Sequence, residues 1–181
     1  GAGMTYFKKM RGSGPSPPGV SAGEVFWSWL GSFLGVAAVA LLHAGLFEPR
    51  DLSLLIGSFG ASAVLLYGAV RSPLAQPRNL IGGHVLSAIV GVSAQLWLGG
   101  TPWLAAAVAV SVAIAVMHLT RTLHPPGGAT ALIAVIGGDS VHQLGYLYVL
   151  VPAALGASVM LVIALLVNNI PKTRKYPEFW F

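Results

Sequence analysis

The sequence predicts an all-α polytopic membrane protein. Three observations carry that prediction. The 181 residues are 55% hydrophobic and only 8% charged, where a soluble domain carries about 25% charged residues. Four apolar stretches are each long enough to span a bilayer, which takes about 20 residues. The basic residues sit in the tails and beside apolar stretches instead of forming one face. The net charge of +5 therefore reports membrane topology and not nucleic-acid binding. The bilayer is the expected partner, and no nucleic acid is.

The elements follow in order. Gly1-Ala2-Gly3 precedes Met4 and reads as an artificial leader. Residues 1–20 form a basic, Gly/Pro-rich tail expected to be disordered. The transmembrane domain covers residues 21–170, and residues 171–181 form a cytoplasmic tail. The first span, at about residues 25–47, is too long for a signal-peptide core and reads as uncleaved. Three more long helices are expected at about 80–98, 102–119 and 144–167. Two shorter apolar pieces remain, at 52–70 and 127–138, each with glycines near its start. The five tryptophans fall at predicted helix ends, as an interfacial belt would.

The two short pieces resemble each other: "FGASAVL" (59–65) reads against "GGATALI" (127–133). The chain thus reads as two copies of a long helix, a broken short helix and a long helix, a three-plus-three inverted repeat. Charge supports six crossings. Every Lys and Arg except Arg50 then shares one side, as the positive-inside rule asks. If the short pieces instead dip in and return, Arg71, Arg78 and Arg121 change sides. A 12-residue helix reaches only about 18 Å, so the second short piece needs extra backbone to cross.

Helix breaks inside a membrane carry functional meaning, because irregular backbone survives there only under protein or beside a cavity. A helix is expected to restart near Ala61 after Gly57-Ser58-Phe59-Gly60, and near Ala129 after Pro125-Pro126-Gly127-Gly128. Free amides at helix N-termini attract anions. The candidate ligand contacts are the backbone at Gly60, Ala61, Gly127, Gly128 and Ala129, with the hydroxyls of Ser58, Ser62 and Thr130. Arg78 either grips an oxyanion through its planar fork or anchors the helix at the interface. Asn79 is expected to cap that helix. His84 and His124 each either meet the anion or hold a backbone carbonyl freed by a break. His43 reads as packing, His142 as solvent-facing, and His118 as sharing a polar face with Arg121.

Other chemistries are not expected. The chain has no cysteine, and its histidines lack metal-site spacing and a carboxylate partner. No nucleophile–base pattern or phosphate loop is present, so neither an enzyme nor a cofactor is expected.

At "HPPGGATAL" (124–132) the chain resembles the HPP family of integral membrane proteins. "GSFGASAVLLYG" (57–68), "SPLAQPRNLIGGH" (72–84) and "ALIAVIGG" (131–138) extend the resemblance. It implies four transmembrane segments and a transport role, with nitrite as the substrate class. A small anion, nitrite or a similar oxyanion, is therefore the expected cargo. Two rival readings stand beside it. One is a channel for a small neutral solute or weak acid. The other is a scaffold or sensor, whose hallmark is a fully packed centre at the two breaks. Gly/Ala-rich faces predict a homo-oligomer. The expected setting is a bacterial inner (plasma) membrane, with both termini cytoplasmic.

Overall fold

The computed structural model describes residues 2–12 and 14–181, and every regular element among them is helical. A short helix α1 (Ala2–Lys9) occupies the tail that the sequence reading leaves disordered. The membrane bundle comprises α2 (Ala22–His43), α3 (Pro49–Ala63), α4 (Pro77–Leu98), α5 (Pro102–Leu119), α6 (Pro125–Ile136) and α8 (Leu155–Val167), with a one-turn α7 (Asp139–His142) after α6. A π-helical turn, Val64–Gly68, extends α3, and a kinked one, Val149–Ala154, leads into α8.

Local chemistry sets the helix starts. Ser21 accepts the Glu24 amide at 3.3 Å to open α2, the first half of a capping box. The helices α3, α4, α5 and α6 each begin at a proline. At the first helical position the missing N–H is not needed, and the fixed φ already suits a helix. Pro125-Pro126 is therefore one of four similar helix starts.

The expectation of four long and two short helices changes here. The piece at 52–70 belongs to one unbroken helix, Pro49–Gly68, so five helices are long and apolar enough to cross a membrane. Glycine weakens a helix by about 1 kcal/mol relative to alanine, and tertiary packing overrides that. Leu55, Ser58, Phe59, Ser62, Leu66 and Tyr67 form a single buried stripe along it, with the spacing of one helical face. Only α6 stays short, at 12 residues.

Polar ties identify the two ends of the bundle. At the first end, Arg174 donates to Glu24 at 2.8 Å, Ser28 at 2.7 Å and the Tyr67 carbonyl at 3.0 Å. It thereby joins the start of α2 to the end of the α3 extension. Arg78 donates to the Thr120 carbonyl at 2.8 Å, joining the start of α4 to the end of α5. At the opposite end, the Asp51 carboxylate accepts the Gly138 amide at 2.7 Å and the Ser140 hydroxyl. The far end of α6 thus meets the start of α3. All six elements run between the ends, and Arg71, Arg78, Arg121 and Arg174 gather at the first, as the charge pattern predicts.

Small residues bring α4, α5 and α6 together, as expected when helices pack in lipid. A Cβ on Gly91 would stand 2.8 Å from the Ala131 Cα, and one on Gly127 2.8 Å from the Gly83 carbonyl oxygen. Ala105, Ala109 and Ala113 are fully buried along α5. The outer faces remain apolar, with Leu41, Trp97 and Leu119 each at least 78% exposed. Residues 171–181 are not a loose tail. Tyr176 is buried in the core and donates to the Ala75 carbonyl at 2.7 Å, which straps the segment across the first end.

Candidate functional site

The polar centre forms where α3, α4 and the start of α6 meet. Helix α3 presents Ser58 and Ser62 one turn apart on its inner face. Helix α4 contributes His84, and α6 contributes Thr130 with His124 as its N-cap. All five side chains are at most 4% exposed. The amphipathic stripe that buries Phe59 necessarily buries its serine neighbours, so this polarity must be satisfied inside the protein.

A continuous hydrogen-bond chain satisfies it. Ser58 Oγ lies 2.9 Å from Thr130 Oγ1, and Thr130 Oγ1 lies 2.7 Å from His84 Nδ1. His84 Nε2 lies 2.7 Å from Ser62 Oγ, and Ser62 Oγ lies 2.9 Å from His124 Nε2. His124 Nδ1 then donates to the Leu74 carbonyl at 2.8 Å. The two imidazole rings stand edge to face with centroids 5.1 Å apart. Phe59 lies against His84, centroids 5.0 Å apart, and His43 lies nearly parallel to Phe59 at 6.4 Å.

The sequence-derived candidates separate into three groups. Ser58, Ser62, His84, His124 and Thr130 come together. Gly60 and Ala61 do not join them: they lie inside continuous α3, Ala61 on its exposed face. Their amides belong to the helical ladder, so no helix N-terminus exists there. Gly127, Gly128 and Ala129 also fail to supply a cradle of free amides. The helix starts at Pro125, two of its first amides are replaced by prolines, and the Gly127 amide donates to the His124 carbonyl at 2.8 Å. Gly127 packs on α4, whereas Gly128 and Ala129 line an outer apolar groove of about 580 Å³ between α5 and α6.

Arg78 forms the third group. It lines a cavity of about 340 Å³ at the first end of the bundle, with Arg121, Asn79, Phe179 and Phe181. Its Nε is buried without a hydrogen-bond partner, as is Asn79 Oδ1. Asn79 does not cap α4, which begins two residues earlier; its amide donates to the Leu123 carbonyl at 2.9 Å. The single salt bridge among the described residues joins Arg174 to Glu24, so neither Arg78 nor Arg121 is neutralised by a carboxylate. His118 faces the outer groove, whereas Arg121 lines the cavity with Arg78. His43 packs as expected, its Nδ1 on the Val39 carbonyl at 2.7 Å. His142 is exposed but also reaches the Val135 carbonyl at 3.0 Å.

Sequence reasoning did not count Tyr148, Asp51 or Arg121 among the site residues, and placed Arg121 only as a basic flank beside His118. Tyr148 is fully buried and donates to the Thr130 carbonyl at 2.7 Å, which fixes the backbone beneath the cluster. A lone tyrosine at the start of an apolar segment was its only signal. Arg121 takes a left-handed conformation (φ 58), and that turn aims it at the Arg78 cavity.

Comparison with known proteins agrees with this architecture. The family model described as HPP, transmembrane region, matches residues 17–177. Two curated transmembrane proteins of Dictyostelium discoideum are similar to the chain. One is 48% identical over 98% of this chain and 58% of its own length; the other is 46% identical over 98% and 64%. The chain therefore spans about three-fifths of the curated relatives it matches. No solved structure matches it.

Proposed function

Since this chain belongs to the HPP transmembrane family, we propose that it passes a small anion, nitrite or a similar oxyanion, through the bundle. The observation that carries the reading is the buried Ser58–Thr130–His84–Ser62–His124 chain. Polar and ionisable groups are expensive inside a membrane bundle and mark transport pathways there. The Arg78–Arg121 cavity is tied to the backbone beside the centre: Asn79 on its wall donates to the carbonyl of Leu123, the neighbour of His124. Two guanidiniums without carboxylate partners concentrate anions at this mouth. Side-chain hydroxyls, not helix N-termini, are the donors in this reading of the site. The positive-inside rule assigns the arginine-rich end to the cytoplasm.

One observation favours a different reading. Each polar side chain of the centre already has a partner, and all are buried. A non-transporting scaffold or sensor would have such a closed centre.

Nitrite uptake into proteoliposomes separates the two. Transport predicts uptake above that of protein-free vesicles, and no uptake of nitrite or formate discards it. Arg78→Ala is expected to lower uptake about tenfold, the loss of one charge-assisted contact. Unchanged uptake would leave Arg78 as an anchor on Thr120.

A further inference from the structure

The hydrogen-bond chain has a direction. The Leu74 carbonyl only accepts, so His124 carries its proton on Nδ1 and its Nε2 is an acceptor. Ser62 must then donate to His124 Nε2 and accept the Nε2–H of His84. That leaves His84 Nδ1 unprotonated, so Thr130 donates to it. Ser58 then donates to Thr130 or to the Pro126 carbonyl at 3.1 Å. With both rings neutral, every proton between Thr130 and Leu74 is committed to a bond. No donor remains for an anion.

One added proton changes this. Placed on His84 Nδ1, it donates to Thr130 Oγ1 and releases the Thr130 hydroxyl hydrogen, whose other acceptors are the Pro126 carbonyl at 3.4 Å and Ser58 Oγ. That hydrogen turns to an arriving anion, and the imidazolium balances its charge. A second proton is opposed by the first, because the rings are 5.1 Å apart. No other charge compensates. Asp51 lies at the opposite end of the bundle against Gly138 and Ser140, Arg78 is itself a cation on the Thr120 carbonyl, and His118 faces the outer groove. His43 lies behind Phe59, and Tyr148 donates its hydroxyl to the Thr130 carbonyl.

We propose that the centre accepts a small monovalent anion only together with one proton, held on His84, so that the two cross as a neutral pair. His124 is a positioning residue: its lock on Leu74 fixes the tautomer of His84 through Ser62. The proposal rests on the anion-transport reading and names the charge form that the site takes.

The test uses the wild-type protein in proteoliposomes, with nitrite as the probe, a pH dye trapped inside and the membrane potential clamped. Coupling predicts one proton entering per nitrite, at a rate indifferent to potential. Uptake driven by potential without internal acidification would overturn coupling and leave anion transport standing. No uptake above empty vesicles would discard both. His84→Gln keeps a hydrogen-bonding side chain but holds no proton; its coupled uptake is expected to fall at least about tenfold. Full coupled uptake in folded His84→Gln would place the proton on the acid itself and overturn the proposal. Should that variant not fold, nitrogen NMR of histidine-labelled wild type in nanodiscs decides. One imidazole must become imidazolium on nitrite addition near neutral pH, and two unchanged neutral rings refute the proposal. His118→Gln, on the outer groove, is expected to change nothing.

Discussion

Helices α3 and α6 carry the matched glycine-rich stretches, yet they are built differently. Helix α3 runs unbroken through Gly57 and Gly60, where an added Cβ would meet nothing within 4 Å. Helix α6 starts at Pro125, and a Cβ added to its Gly127 would stand 2.7 Å from Ser87 Oγ and 2.8 Å from the Gly83 carbonyl oxygen. Glycine permits a break but does not force one, whereas proline removes donors outright. The lesson is that the same residue serves as tolerance in one helix and as a close-packing requirement in the other. The pair still meets along its length. Ser62, Ser58 and Asp51 of α3 contact His124, Thr130 and Gly138 in turn, so the two helices run antiparallel.

The largest effect is expected where Asp51 of α3 holds the far end of α6. Asp51→Ala leaves the Gly138 amide and Ser140 hydroxyl without their acceptor, about 3 kcal/mol of destabilisation. The thermal midpoint in detergent measures it. An unchanged midpoint would mean that packing alone holds the end of α6. Gly127→Ala comes next, at about 1–3 kcal/mol, because backbone on α4 must give way to the new methyl. If its midpoint matches wild type, the helices are not close-packed there, and the contrast with α3 collapses.

The elements set by long apolar runs were legible in the sequence. So was the gathering of basic residues at one end, since hydropathy and charge act locally. The starts at Pro49, Pro77 and Pro125 were not legible, because those prolines read as breaks or loop residues. Nor was the continuity of α3, because it depends on Phe59, Leu66 and Tyr67 burying their side chains against other helices. A Cβ on Gly31 would stand 2.6 Å from the Tyr67 ring, so α2 is grooved to receive it. In the site, Ser58, Ser62, His84, His124 and Thr130 were legible as polar residues stranded in apolar surroundings. Their partners were not. The Leu74 carbonyl and the Tyr148 hydroxyl lie 50 residues from His124 and 18 from Thr130 in sequence. The strap through Tyr176 was hidden in the same way, because nothing in a short polar tail specifies Ala75 as its acceptor.

The smallest predicted effect has the opposite sign. Gly60→Ala adds a methyl into open space on a half-buried position of a regular helix. It removes backbone freedom from the unfolded chain and improves helix propensity, so it is expected to stabilise by about 0.5–1 kcal/mol. The same detergent melt reads it, with nitrite uptake measured in parallel. A helix that breaks at Gly60, with its amides open to ligand, would instead lose stability and transport on this change. A raised midpoint with unchanged uptake places α3 on the tolerant side of the comparison and confines the chemistry to its serine face.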